Sequence, residues 1–107
     1  EVGGNARING TIEVIELHID PNGTWADYVF EEDYQLRPLS EVSDFIKENK
    51  HLPEIPSAKE VSEQGYNQTE INAKLLQKIE ELTLYMIELE QKNKELTKKV
   101  SKLESNQ

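Results

Sequence analysis

Leucine recurs at every seventh position along the last third of the chain: Leu75, Leu82, Leu89, Leu96 and Leu103. With these at heptad position d, position a holds Asn72, Ile79, Met86, Asn93 and Val100. Neither Pro nor Gly occurs between Glu70 and Glu104, so nothing in that stretch breaks a helix. At 1.5 Å per residue it is on the order of 50 Å long. An apolar stripe of period 3.5 sustained this far predicts a coiled-coil strand over 70–104. Alone, such a helix leaves its stripe in water. The rest of the chain is too short to cover the whole length, so self-association is the expected remedy. The expected oligomer seam is Leu75, Ile79, Leu82, Met86, Leu89, Asn93, Leu96, Val100 and Leu103.

Stoichiometry pulls two ways. Leu at d with a central Asn93 at a favours a parallel dimer. Ile71, Leu76, Leu84, Tyr85 and Ile87 lie off the seam and broaden the apolar face of the first half. They either pack against the rest of the chain or support a trimer. Beyond Ile87 the stripe is narrow, with Lys92, Lys94, Lys98 and Lys99 around it. In a parallel arrangement Lys99 at g meets Glu104 at the following e of a neighbour, an exposed pair that guards register more than it adds energy.

A leucine zipper that binds DNA needs a basic helix running into it. Here the preceding residues are EVSEQGYNQTEINAK, acidic to neutral and broken by Gly65. A net charge of −9 argues further against nucleic acid, whose recognition needs a basic patch, and against an anionic membrane surface. No apolar run reaches the roughly 18 residues of a membrane span. The first residue is Glu, not Met, so the chain reads as a fragment of something longer.

The long helix leaves only about 50–60 residues for a compact part, a size that often needs staples, a metal or oligomerisation. There is no Cys, hence no disulfide and no thiolate site, and His18 and His51 are the only histidines. A zinc cluster is not expected. The redox compartment stays open.

Residues 7–19, RINGTIEVIELHI, read as strand. Ile12 and Val14 alternate with Glu13, the period breaks at Val14-Ile15 as at a bulge, and Ile15, Leu17 and Ile19 alternate again. Asn9-Gly10 suits a tight turn. Residues 1–20 are thus an expected β segment whose edges something else must cover, for instance copies of the same chain. Asp20-Pro21-Asn22-Gly23 is a turn sequence. Next comes an expected compact head over 21–66. Trp25, Tyr28, Phe30, Tyr34 and Leu36 supply its core, joined by Leu39, Val42, Phe45 and Ile46 on one face of a helix over 39–50 that Ser40 could cap. The fold class expected is α+β.

HLPEIPSAKEV, residues 51–61, interrupts the helical pattern. Leu52 and Ile55 precede Pro53 and Pro56 and are biased to extended geometry. Being apolar, they fit a loop anchored in the core. His51 would close the preceding helix by a hydrogen bond, with Pro53 and Pro56 stiffening the joint. Ser57 and Glu60 form a capping box for a helix over 58–64, ended by Gly65. Asn67 or Thr69 caps the long helix.

Chemistry is sparse. His51 and Glu54 could form a base and its orienter, but there is no Cys, and no Ser lies in a nucleophile signature. Glu31, Glu32 and Asp33 could approach calcium, yet fit a solvated face better. Sequons at Asn9, Asn22 and Asn67 matter only in a glycosylating host. The chain reads as a non-enzyme with no metal and no cofactor.

Residues 25–61, WADYVFEEDYQLRPLSEVSDFIKENKHLPEIPSAKEV, and 72–90, NAKLLQKIEELTLYMIELE, resemble the C-terminal region of fibre-like proteins of Bacteroidetes bacteria and their phages. That region is distantly similar to the endosialidase-type intramolecular chaperone domain that ends tail spikes. The resemblance implies a homotrimer that registers a β-rich shaft, with residues 7–19 as the shaft's last turn. Self-cleaving members carry an S-D-x-R-x-K type motif at the junction. HIDPNGTWADY stands there in this chain, so autoproteolysis is not implied.

These readings converge on a non-enzymatic oligomerisation and registration cap of a fibre or surface protein. Its partner would be itself, trimer favoured over dimer, with a cell-surface receptor as a further partner. The setting implied is a virion tail fibre or the bacterial exterior, with the cytoplasm left open. Two other readings stand beside it: a receptor- or glycan-binding tip using Trp25 or His51, and an intracellular leucine-zipper scaffold.

Overall fold

The structure, a computed structural model, describes residues 3–21 and 23–106. A short 3-10 turn, Tyr28–Phe30, precedes three helices: α1, Leu39–Asn49; α2, Ala58–Gln64; and α3, Gln68–Ser105. The molecule is elongated, 75 × 30 × 29 Å. Its length comes from α3, whose 38 residues span about 57 Å. The remaining elements gather against the first half of α3.

Among the described residues there is no strand, so the fold is all-helical and the α+β expectation is corrected. The stretch that alternates so well stays irregular, with bends at Asn9-Gly10 and Ile15. Ile8, Ile12, Val14, Ile15 and Leu17 are all exposed. The physical reason is pairing. Alternation gives a strand two faces, but a ladder also needs a second backbone to satisfy its N–H and C=O groups, and one chain offers none here. The Asp20–Gly23 turn includes Asn22, which lies outside the described residues; Gly23 beside it has φ +78°.

The helices begin and end for local reasons. α1 starts behind Pro38, not Ser40, with φ already near helical and the Pro38 carbonyl accepting from the Glu41 and Val42 N–H groups. It stops at Lys50, which turns left-handed (φ 62°) and returns its N–H to the Ile46 carbonyl at 2.8 Å. α2 carries the full capping box: Ser57 Oγ accepts from the Glu60 N–H, and Glu60 Oε1 accepts from the Ser57 N–H, both at 3.2 Å. Gly65 at φ 67° ends it. α3 is capped by Asn67, whose Oδ1 accepts from the Glu70 N–H at 3.1 Å.

Candidate self-association surface

α3 presents two faces with different fates. Lettered by heptad, the residues that the head covers are Ala73 and Glu80 at b, Gln77 at f and Tyr85 at g, all buried, with Glu81 at c and Leu84 at f half-buried. The a and d positions lie on the other side. Leu75, Ile79, Leu82, Met86, Leu89, Asn93, Leu96, Val100 and Leu103 are all exposed. The head therefore grips the back of the helix and leaves its apolar stripe in water over the full length.

The grip is largely polar. Tyr28 Oη donates to Gln77 Oε1 at 2.5 Å. The Gln77 amide nitrogen has Tyr34 Oη at 3.1 Å and Glu54 Oε2 at 3.3 Å. Tyr34 Oη in turn donates to Glu81 Oε2. Lys78 Nζ bridges Glu54 at 3.1 Å and Glu81 at 3.0 Å. Two backbone groups close the set: the Asp27 N–H donates to Glu80 Oε1 at 3.0 Å, and Tyr85 Oη donates to the Arg37 carbonyl at 2.6 Å. Under this lattice sit Val29, Ala26 and Pro53, all buried.

Burial and neighbours shift the ionisable members. Burial pushes the Tyr34 phenol up, and the Glu81 carboxylate it bonds adds to the shift. Tyr28 and Tyr85 are also raised, first by burial and then by nearby carboxylates. The Glu80 carboxyl is raised, chiefly by burial. Burial works upward on Glu54 too, but hydrogen bonds from Lys78 and Gln77 and the Lys78 charge outweigh it and hold that carboxyl below its ordinary value. All three tyrosines thus stay neutral donors.

The joint 51–56 has a specific form. The Ile55 N–H reaches the Leu52 carbonyl at 3.3 Å, Pro53 occupies the second position of the turn, and Glu54 follows at φ +69°. Pro then a positive φ is the type II pattern, where Gly is the usual third residue. Glu54 stands there instead and uses its side chain to reach α3. His51 donates Nδ1–H to the Leu52 carbonyl at 2.9 Å and sits edge-on to Phe45, ring centroids 5.4 Å apart. Arg37 lies over the same Phe45 ring. His51 thus bonds forward into the joint and not back onto α1, whose end is closed by the Lys50 N–H, which corrects the expected helix-closing bond.

Of the residues expected in the head core, Tyr34, Leu36, Val42, Phe45 and Ile55 are half-buried. Trp25, Tyr28, Phe30, Leu39, Ile46 and Leu52 lie on the surface, a correction to the expected core. One small layer cannot bury that many large side chains. Its centre goes to the smaller Ala26, Val29 and Pro53, because the phenols must stand at the edge to reach Gln77 and Glu81. Trp25 borders an open groove of about 450 Å³ with Ile19, Pro21, Thr69 and Asn72. Pro56 is half-buried. Sequence reasoning missed Gln77, Lys78, Glu80 and Glu81, since charged or amide residues at b, c, f and g normally face solvent. The one signal was Ala73, Gln77, Glu80 and Leu84 at helical spacing, a second stripe opposite the leucines.

No family model, curated protein or solved structure matches this chain. Among the described residues there is no group of three or more His, Cys, Asp or Glu able to hold a metal ion, and no helix long and apolar enough to cross a membrane. An elongated helical molecule with one long, stripe-bearing C-terminal helix is compatible with a coiled coil.

Proposed function

We propose that this chain is a non-enzymatic oligomerisation and registration module, which joins copies of itself in parallel through the a and d positions of α3. One observation carries the reading: the apolar stripe from Leu75 to Leu103 is exposed while the head occupies the opposite face. An apolar surface of that length is a place where partners meet. A second copy of the same helix fits it, since heptads with Leu at d pack knobs into holes against their own kind. The head reaches the g flank at Lys78 and Tyr85 but leaves the a and d side chains exposed. The resemblance of residues 25–61 and 72–90 supports the further proposal that the module ends a fibre or surface protein.

The number of copies follows from separate arguments. Of the five off-seam residues, Ile71, Leu76 and Leu84 are half-buried and Tyr85 is buried within the chain, while Ile87 stays exposed, so Ile87 alone still widens the free apolar face. The resemblance favours three copies, and Asn93 in a Leu-at-d seam favours two. Sedimentation equilibrium of the intact chain separates the two. The test of the proposal itself is the double variant Leu82→Lys, Leu89→Lys. It is expected to sediment as a monomer at concentrations where the parent chain is associated. An oligomer of unchanged mass would overturn the reading.

A further inference from the structure

Leu82 belongs to the stripe, yet it also borders a pocket of about 70 Å³ that the head completes with Val42, Leu52, Pro53 and Arg37, and α3 with Tyr85, Lys78 and Glu81. The pocket therefore opens beside the seam on the g side of the helix. It is mostly apolar at its rim, and Leu52 is 44% exposed there. Elsewhere on α3, Ile87 presents a second unexplained apolar surface. It sits at b, off the seam, and is 48% exposed because its own head does not reach it.

Coiled-coil geometry brings these two features together. In a parallel pair the g flank of one helix faces the e flank of the other, and the a-position knob of the neighbour enters the hole made by Leu82, Tyr85, Met86 and Leu89. By the pairing of g with the following e, Lys78 and Tyr85 face Thr83 and Glu90 of that neighbour, and Ile87 at b lies between those two in height, on the same flank and toward the head. In an antiparallel pair g flanks face each other instead. The flank facing the head would then be the neighbour's g side, whose exposed part carries Lys92 and Lys99, and not the side that carries Ile87.

We infer that the head of one copy packs on the e and b flank of α3 in the next, with the neighbour's Ile87 closing the pocket between Val42, Leu52 and Tyr85, and that this contact selects the parallel arrangement. The inference rests on the self-association reading. It adds that the head is part of the interface and not a passenger on the outside. The apolar walls at Val42, Leu52 and Pro53 suit the tip of an aliphatic side chain.

The absence of native cysteine makes the test direct. Chains carrying Leu52→Cys and chains carrying Ile87→Cys, with different tags, are mixed and treated with a short bismaleimide. Val100→Cys alone, in the seam, reports whether helices run parallel, and sedimentation of each variant reports association. The expected result is a mixed Leu52–Ile87 crosslink, several-fold above either variant alone, together with a Val100–Val100 crosslink. A Val100 crosslink without the mixed one overturns the head contact and leaves self-association standing. An oligomer with neither crosslink overturns the parallel head contact as well. A monomer overturns both readings.

Discussion

Glu80 and Glu54 both carry carboxylates into the contact between head and α3, with opposite consequences for stability. Glu80 has its carboxyl raised by burial. A raised carboxyl favours the folded state when protonated, so its contribution is present at acid pH and is lost as pH rises through its folded value. Glu54 is held low by Lys78 and Gln77 against the effect of burial. Its contribution is present above the ordinary carboxylate value and is lost as pH falls through its own lowered one. Glu80→Gln keeps an acceptor for the Asp27 N–H and removes a buried charge. It is expected to raise the thermal unfolding midpoint at pH 7, with the gain shrinking toward about pH 3, below the ordinary carboxylate value of about 4.3. Glu54→Gln is expected to lower the midpoint at pH 7, and its deficit should shrink over the same range. Circular dichroism melts of the two variants across pH read this, and shifts of the same sign at pH 7 would refute it. Neither role was legible in the sequence, where 21 acidic residues look alike until a fold singles out the few that face tyrosines and a lysine.

At the scale of elements, what the sequence made plain was everything set by local chemistry. Ser57 and Glu60, Gly65, Asn67 and the Pro-free run of α3 determine where helices begin and end, and each acts within a few residues of itself. What it hid was set by pairing across distance: which face of α3 the head takes, and whether 7–19 finds a ladder partner. Residues 7–19 have the alternation of a strand but remain irregular, because alternation is a property of one segment and a ladder is a property of two. α2 stands at the local extreme. None of its residues is buried, so its stability leans on the capping box more than on packing. Ser57→Ala removes the Oγ that accepts from the Glu60 N–H, while the backbone N–H at 57 still donates to Glu60, at a cost of about 1 kcal/mol. The expected outcome is faster amide exchange confined to 58–64, while 69–86 keeps its protection. Equal loss in both segments would mean that α2 is coupled to the grip of the head on α3.

For the whole molecule, α3 is one helix whose two halves have different surroundings. Its first half is braced on the back by the head, through Tyr28, Tyr34 and Glu54 on Gln77, Lys78 and Glu81. Its second half, beyond Glu88, is exposed throughout and has no support from the rest of its own chain. The ion pair Lys94–Glu90 at 2.9 Å is solvent-exposed, and such i,i+4 pairs add only about 0.3–0.5 kcal/mol. Extending from a formed first half, the second half bears no nucleation cost, but without packing it has only the small gain of helix propagation, and most helical stability in proteins comes from packing an apolar face. On the proposed self-association, Leu89, Leu96, Val100 and Leu103 would support the second half and the head the first. The monomeric variant Leu82→Lys, Leu89→Lys separates the two supports. By amide hydrogen exchange it is expected to keep protection over 69–86 and to lose it over 93–105, and helical ellipticity should fall by roughly the share of α3 that lies beyond the head. Protection that collapses evenly along α3 would mean that the head cannot hold its half of the helix without the seam. Retained protection to Leu103 in a proven monomer would mean that the C-terminal half is helical without a partner, and the case for association as its support would fail.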